Sequence, residues 1–292
     1  MALDSDQVQK PVRKLRKILK KISRNPSPAK VHDLRTRTRQ IEATLGALSL
    51  DSNRNGRKLL KSLSRVRKNA GRVRDMDVLI SYAATLPGDG EENCKLELIE
   101  HLGSTRRRKA DKLESSVSKR SAPLRWRLKR TLHQVEDLVG AAGEGSNERA
   151  ASSKAAAAVL ALESELADTQ RLGRQNLHPY RLKVKALRNV LKLAQDEDDQ
   201  EFVDALGRVK DLIGEWHDWG ELLAIASRKL KHGPGCKLMR ELRQKTNEKY
   251  QRALTETESM RKTYLRVSHA KTKRGSGKLP QPALQAAAKL AA

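Results

Sequence analysis

The chain has 292 residues, of which 61 are Lys or Arg and 35 are Asp or Glu, so its formal net charge is +26 at pH 7. A surplus of this size indicates a polyanionic partner such as nucleic acid, an anionic membrane or polyphosphate, because unneutralised like charges repel one another. Hydrophobic residues make up 37% of the chain, which is enough to build cores and excludes a chain that is disordered throughout.

The first half of the chain is predicted to be helical, because apolar residues recur in it with the period of an α-helix. The predicted helices span about residues 8–23, 28–48, 57–85, 91–119 and 124–139. The segment Asn-Pro-Ser-Pro ends the first of them, and Ser27 is placed to cap the second with Pro28 at its first position. We expect the first four helices to form one bundle over about residues 8–120, and the fifth to link this bundle to the second half.

The second half begins after the segment GAAGEGSN, whose glycines and serine indicate a flexible connector. Helical periodicity predicts a second bundle over about residues 148–265, and no segment shows the alternation that is typical of a strand. The fold class is therefore predicted to be all-α. Residues 270–292 are rich in Lys, Ala, Pro and Gly and contain no acid, so we expect a disordered basic tail there.

Two sequence patterns occur once in each half. The pattern His-x-x-Arg-x-x-x-Lys/Arg begins at His32 and again at His178. The segment Leu63–Leu79 aligns with Leu206–Leu222 at nearly the same offset. This recurrence in helical register predicts an internal duplication, with one four-helix bundle in each half.

The two repeated helices have a basic face and an apolar face when they are projected at about 100° per residue. The candidate anion-binding residues are His32, Arg35, Arg39, His178, Arg181, Lys185, Arg188 and Lys192, together with Arg208 on the following helix. The helix predicted from about residue 57 carries a longer row of cations. This row, called the basic stripe below, consists of Lys58, Lys61, Arg65, Lys68 and Arg72.

The composition of these faces favours phosphate as the bound anion. The planar fork of arginine can hold two oxygens, while lysine supplies a mobile point charge. A solvated surface position is the commoner explanation for any single lysine or arginine. That explanation fits the segregated faces poorly, because acids are missing from them and a bound anion would relieve their repulsion.

Three carboxylates lie near the cations in the sequence, and we expect Asp75, Asp77 and Asp218 to orient arginine and lysine side chains. Metal ligands or an acid/base pair are the alternatives, but no His, Cys or Glu stands at the spacing of a metal site. The chain also lacks a G-x-x-x-x-G-K-[ST] loop and a G-x-S-x-G elbow. We therefore expect no catalytic residue, no metal and no cofactor.

The N-terminus carries acids where a signal peptide needs cations, and no apolar run approaches the roughly 20 residues of a membrane span. The chain has two cysteines, which form no C-x-x-C pair, so neither a zinc cluster nor a disulfide framework is expected. These features predict a soluble protein of the reducing cytosol that does not enter the membrane.

The order of these motifs resembles that of the CHAD family, the conserved histidine α-helical domain, in which each half opens with a His-x-x-Arg helix. The family's second signature is a Gly followed by Arg-Asp-x-Asp-Val. The residues similar to it are Gly71, Arg74, Asp75, Asp77 and Val78, with a weaker copy at Gly214, His217 and Asp218. The resemblance covers about residues 8–265, and we assign residues 1–266 to the domain.

The resemblance implies two antiparallel four-helix bundles related by a pseudo-twofold axis, with the basic faces lining a shared groove that binds inorganic polyphosphate. It also implies a cytoplasmic location at polyphosphate granules. Some family members are joined to a triphosphate-processing domain marked by Glu-x-Glu-x-Lys. This chain lacks that motif, so an enzyme is not expected.

Two features depart from the family pattern. Glu42 stands where a third basic residue is usual in the first half. In the second half, acids occupy the positions that match Lys58, Lys61, Lys68 and Arg72 of the basic stripe. These acids are Glu201, Asp204, Asp211 and Glu215. We therefore expect the long helix of the first half to bind more of the anion than its counterpart.

A non-sequence-specific nucleic-acid-binding protein of the histone-like kind is the alternative, since contacts to a phosphate backbone would also use the positive charge. Proteins that stack bases need exposed aromatic side chains, and 3% of this chain is aromatic. Trp126, Trp216 and Trp219 lie in helical patterns that suggest packing in the core. A phosphate-ester hydrolase that uses Asp75 and Asp77 is a third hypothesis, but it lacks accompanying metal ligands.

Overall fold

The computed structural model describes residues 5–22, 24–47, 50, 53–87, 92–141, 159–194, 200–230 and 236–265. These residues are helical apart from short connections, and no strand occurs among them, which confirms the all-α prediction. The chain divides into two compact units, Met1–Gly143 and Glu144–Ala292. The predicted basic tail, residues 270–292, lies outside the described residues. So do residues 142–147 of the predicted connector, whereas its first two residues, 140 and 141, are helical.

Five helices lie among the described residues of the first unit. They are α1 (Ser5–Lys20), α2 (Pro28–Ala47), α3 (Arg54–Thr85), α4 (Glu92–Ser118) and α5 (Ser121–Ala141). Side chains cap two of them, because the first backbone N–H groups of a helix have no partner within it. The Asn53 Oδ1 atom accepts a hydrogen bond of 2.7 Å from the Gly56 N–H, and the Ser27 Oγ atom lies 3.4 Å from the Lys30 nitrogen.

The core of the first unit lies around α3, which contacts α2, α4 and α5, while α1 contacts α2 and α5. The α3 residues in this core recur every three or four positions. They are Leu59, Leu63, Val66, Ala70 and Val73, all fully buried. The helix predicted to link the two bundles, α5, adds Leu124, Leu128 and Leu132 to the same core and so packs within the first unit.

The second unit contains a helix at residues 159–167, called α6, followed by three longer helices. These are α7 (Leu177–Ala194), α8 (Gln200–Lys229) and α9 (Lys237–Met260), and α9 continues into a π-helical turn, Arg261–Leu265. Helix α8 contacts both α7 and α9. The apolar face predicted for α7 is buried in the core of this unit. It consists of Tyr180, Val184, Leu187 and Leu191.

The tryptophans differ from one another in burial. Trp216 and Trp219 are 9% and 5% exposed and pack in the second unit, as predicted. The packing prediction is wrong for Trp126, which lies on α5 with 55% of its surface exposed. The physical reason is its position about 200° around the helix from Leu128, which faces the core.

In the part of the chain that the structure describes, no helix combines the length and the apolar character that a membrane span requires.

Candidate functional site

The basic stripe runs along the side of α3 that points away from the core of the first unit. All five of its cations are exposed, while the core residues of the same helix are fully buried. From Lys58 to Arg72 the chain advances by 14 positions. This corresponds to about 21 Å along a helix that rises 1.5 Å per residue. The structure therefore gives an extended row of cations rather than a compact cluster.

The C-terminal end of the stripe opens into a cleft between α2 and α3, called the α2–α3 cleft. Its volume is about 210 Å³, and its lining residues are Arg35, Arg67, Lys68, Gly71, Arg72 and Asp75. The Arg35 guanidinium lies over Gly71, because a Cβ atom at that glycine would be 3.4 Å from the Arg35 Nη1 atom. Arg35 Nη1 is also 3.7 Å from Asp75 Oδ1. The predicted residues Arg35, Lys68, Arg72 and Asp75 thus lie together.

Arg67 also lines this cleft, although no sequence pattern selects it, since it lies beside the stripe rather than on it. Its Nε atom is 2.7 Å from Glu42 Oε2. Burial raises the pKa of Glu42 above its ordinary value, whereas the nearby cations Arg67 and Arg39 act in the opposite direction. Glu42, the acid that departs from the family pattern, therefore neutralises part of the charge at this end of the stripe.

The N-terminal end of the stripe faces α5 in a second cleft of about 260 Å³, called the α3–α5 cleft. Its cationic lining residues are Lys58, Lys61, Arg65, Arg120 and Arg127. The sequence analysis does not identify Arg120 and Arg127 as candidates, because Arg120 precedes the helix predicted to be a linker and Arg127 lies in it. No single-helix pattern signals their approach to α3, but the packing of α5 against α3 places them there.

In the second unit, two arginine side chains of α7 that are predicted to bind phosphate lie across α8. Arg181 Nε donates a hydrogen bond of 2.9 Å to the Lys210 carbonyl, and Arg188 Nε donates one of 3.1 Å to the Val203 carbonyl. Each guanidinium lies over a glycine. A Cβ atom at Gly214 would be 2.7 Å from Arg181, and one at Gly207 would be 3.0 Å from Arg188. Both arginines are partly buried, so part of their donor capacity holds α7 against α8.

The histidine that opens α7 is paired with a histidine of α8. The ring centroids of His178 and His217 are 4.4 Å apart. Burial lowers the pKa of His178 below its ordinary value, and the nearby His217 and Arg181 lower it further. The Nδ1 atom of His178 is buried and has no hydrogen-bond partner among the described residues. The ring of His178 is thus neutral at pH 7, and an anion bound beside it would favour its protonation.

The remaining described residues that are predicted to bind the anion line neither the α2–α3 cleft nor the α3–α5 cleft. His32 and Arg39 are exposed on α2, and Lys185 is partly buried on α7. Arg208 Nε lies 3.2 Å from Glu256 Oε1 of α9, so its charge is already paired. The side chain of Lys192 lies outside the described residues.

Of the three carboxylates predicted to orient arginine and lysine side chains, Asp77 contacts an arginine of α4, Arg106. The Asp77 side chain is 3% exposed, and its Oδ1 atom accepts a hydrogen bond of 2.6 Å from Arg106 Nε. Arg106 also donates to Asn25 Oδ1 at 2.6 Å and to the Pro26 carbonyl at 2.7 Å. Asp77 therefore fixes the segment before α2 and orients no predicted anion-binding cation. Asp218 is partly buried on α8.

Among the described residues, no group of three or more His, Cys, Asp or Glu side chains is arranged to hold a metal ion.

A family model described as the CHAD domain matches residues 6–227. The chain belongs to the CHAD domain family. This confirms the resemblance inferred from the motifs. CHAD domains are generally associated with polyphosphate binding. The CHAD match includes the candidate residues of α2, α3 and α7 and ends within α8, so α9 lies beyond it. Searches of curated proteins and of solved structures each found no significant match.

Proposed function

We propose that this CHAD protein binds inorganic polyphosphate through the basic faces of its helices, and that the first unit binds most of it. The basic stripe of α3 is the observation that carries the proposal. A row of cations about 21 Å long suits an extended anion with repeated charges better than a single compact phosphate. The clefts at its two ends add further cations, among them Arg35, Arg120 and Arg127.

The electrostatics of the two units support this preference for the first one. The five stripe cations of α3 are exposed, and a polyanion would replace their mutual repulsion by charge-assisted contacts. On α8, acids occupy the positions that match Lys58, Lys61, Lys68 and Arg72. One of these acids, Glu215, is paired with Lys249 at 3.0 Å. Arg208 is likewise paired, with Glu256. The second unit therefore presents fewer uncompensated cations to an anion.

We also propose that the protein is a binding protein rather than an enzyme. The two carboxylates considered for acid/base chemistry do not converge on one site. Asp75 is 63% exposed beside Arg35, whereas Asp77 is 3% exposed and bound to Arg106. Two groups that share a proton transfer must reach the same reacting atom, and this pair does not.

We propose that the two units arose by duplication, since Arg35 lies over Gly71 and Arg181 lies over Gly214 in the same relation.

We further propose that the protein associates with polyphosphate granules in the cytoplasm. Co-localisation of a fluorescent fusion with stained granules tests this location, and a uniform signal in granule-containing cells would contradict it.

Competition between long-chain polyphosphate and duplex DNA, at equal phosphate concentration and physiological salt, tests the proposed function. We expect polyphosphate to displace DNA. We also expect affinity to fall with salt, with a log-log slope of roughly −0.7 per phosphate contact if the single-strand value applies. A clear preference for DNA would overturn the proposal in favour of backbone binding to nucleic acid.

A matched pair of glycine substitutions tests whether Arg181 must lie where the structure places it. A Cβ atom at Gly214 would lie 2.7 Å from Arg181 and must displace the guanidinium, whereas at Gly71 it would meet Arg35 at an ordinary 3.4 Å. Both changes replace Gly by Ala inside a helix, so the intrinsic gain in helix propensity is shared. We expect Gly214→Ala to lower polyphosphate affinity about tenfold and Gly71→Ala to change it little, as measured by titration calorimetry. Equal losses of polyphosphate affinity in the two variants would show that binding does not require Arg181 to lie where the structure places it.

Polyphosphate binding is also expected to depend on pH through His178. The ring is neutral in the free protein because its pKa lies below the ordinary 6.5. A bound anion stabilises the protonated ring and raises its pKa, so binding takes up a proton and affinity rises as pH falls through the pKa of the bound state. Affinities measured between about pH 5 and 8 should show this rise, and His178→Gln should reduce it. An unchanged pH profile in the variant would exclude His178 from the effect.

A further inference from the structure

A third cleft lies where the start of α3 meets α5, and it differs in chemistry from the two described above. Its volume is about 380 Å³, within the range of roughly 300–1,000 Å³ typical of small-molecule sites. The cations that line it are Arg54, Lys58, Arg127 and Arg130. Trp126 forms an aromatic wall, and Asn53, Asn55 and Gln134 contribute amides. Among the described residues, no acid lines this cleft, which is called the Trp126 cleft below.

The aromatic wall is exposed. Trp126 is 55% exposed, and the guanidinium carbons of Arg127 and Arg130 each lie 5.7 Å from the centroid of its ring. An indole that large normally packs in a core or covers a partner. Cations at this distance are attracted to the ring and are also in reach of an anion that approaches it.

The polar floor of the cleft is fixed by hydrogen bonds. Asn55 is 7% exposed, and its Nδ2 atom donates to Thr131 Oγ1 at 3.2 Å and to Gln134 Oε1 at 3.4 Å. Arg127 Nη1 lies 3.4 Å from Asn55 Oδ1. This network holds amide groups of α3 and α5 in place beside the indole, where they can donate to or accept from the edge of a flat ring.

The cations of the cleft are available to a ligand. Among the described residues, Arg54, Lys58 and Arg130 form no ion pair with a carboxylate, and Arg127 contacts only the amide of Asn55 at hydrogen-bond range. Lys58 also lines the α3–α5 cleft. A chain of phosphates that begins at the Trp126 cleft could therefore extend towards the basic stripe.

From this combination we infer that the Trp126 cleft binds a nucleoside triphosphate. The base would stack on the indole of Trp126, its edge would face the amides of Asn53 and Gln134, and the phosphates would lie among the arginines and Lys58. Inorganic polyphosphate has no ring and gains nothing from Trp126, so this inference goes beyond the proposed function and does not depend on it.

The aromatic content of the chain favours a mononucleotide over single-stranded nucleic acid. Proteins that bind single strands stack successive bases on several aromatic side chains. The chain has one Phe, three Trp and four Tyr residues, all of them described, and of these Trp126 is the exposed one. One stacking position suits one base.

Binding of ATP and of inorganic triphosphate to the full-length protein tests the inference, since the two ligands share the phosphates and differ in the nucleoside. We expect ATP to bind about tenfold more tightly, which is within the range that stacking of one base supplies. ATP should also quench tryptophan emission, because Trp216 and Trp219 are buried and Trp126 is exposed, whereas triphosphate should leave the emission unchanged. Equal affinities for the two ligands, or no quenching by ATP, would overturn the inference.

Trp126→Leu removes the stacking surface at an exposed position and keeps an apolar side chain there. We expect this variant to bind ATP about tenfold more weakly, at the level of triphosphate, while its affinity for triphosphate and for long-chain polyphosphate is unchanged. Unchanged ATP affinity in Trp126→Leu would overturn the inference, and so would a native protein that binds a single-stranded oligonucleotide but not ATP. If the native protein bound ATP but not long-chain polyphosphate, the proposed function would be contradicted and the inference about the Trp126 cleft would stand.

Discussion

Asp77→Ala is expected to lower the free energy of unfolding by about 3–5 kcal/mol, the usual cost of removing one member of a buried ion pair. The Asp77 side chain is 3% exposed and that of Arg106 is 14% exposed, so the substitution leaves a buried guanidinium without its carboxylate. Arg106 also holds Asn25 and the Pro26 carbonyl, so the effect should extend to the start of α2. Urea denaturation followed by circular dichroism measures the loss.

Asp75→Ala is the matched control, since it removes the same group from the same helix two residues earlier. Asp75 is 63% exposed and lies 3.7 Å from Arg35, and exposed pairs of this kind contribute about 1 kcal/mol or less. A double-mutant cycle with Arg106→Ala separates the pairwise interaction from the loss of each side chain alone. If Asp75→Ala and Asp77→Ala were equally destabilising, the role assigned to the buried pair would be wrong.

Polyphosphate affinity is expected to fall about 100-fold when Lys68 and Arg72 are both replaced by alanine. Each charge-assisted contact contributes roughly 1.5 kcal/mol at the lower end of its range, and about 1.4 kcal/mol corresponds to a factor of ten. Both residues lie on the basic stripe and line the α2–α3 cleft, so both contacts would be lost. Titration calorimetry with long-chain polyphosphate measures the change, and circular dichroism checks that the helices persist.

The control variant, Arg107→Ala with Lys112→Ala, removes the same two residue types from exposed positions of α4 that line none of the clefts. Charges that act only at long range are screened within roughly 8 Å at physiological ionic strength, so this variant should lose about threefold or less. Comparable losses in the two double variants would show that binding follows total charge and needs no formed site.

The helices were predictable because burial in a helix follows a period of 3.6 residues. Hydrophobic spacing placed α2 at about residues 28–48 and α3 at about 57–85, against Pro28–Ala47 and Arg54–Thr85 in the structure. The same projection separated the exposed stripe cations from buried residues such as Leu63 and Val73. A pattern within one helix specifies which of its faces is buried, and that was enough to find the basic stripe.

The contacts between helices were not predictable in this way. Arg120 and Arg127 meet the stripe only because α5 packs on α3, and no residue of either helix encodes that pairing on its own. The partner of Asp77 is Arg106, which is 29 residues away on α4, and no pattern within a single helix identifies that contact. The helical pattern of α5 predicts that Trp126 packs in the core, but the position of Trp126 around the helix directs its side chain away from the core.

The position of Arg181 and Arg188 over glycines of α8 has a consequence for how this sequence can diverge. Each guanidinium occupies the space that a side chain at Gly214 or Gly207 would need, and its Nε atom is bound to the α8 backbone beside that glycine. A larger residue at either glycine therefore displaces the guanidinium that lies over it, whereas a shorter residue in place of the arginine meets no steric conflict. Relatives that carry a larger residue at position 214 should have a shorter one at 181, and the same should hold for positions 207 and 188.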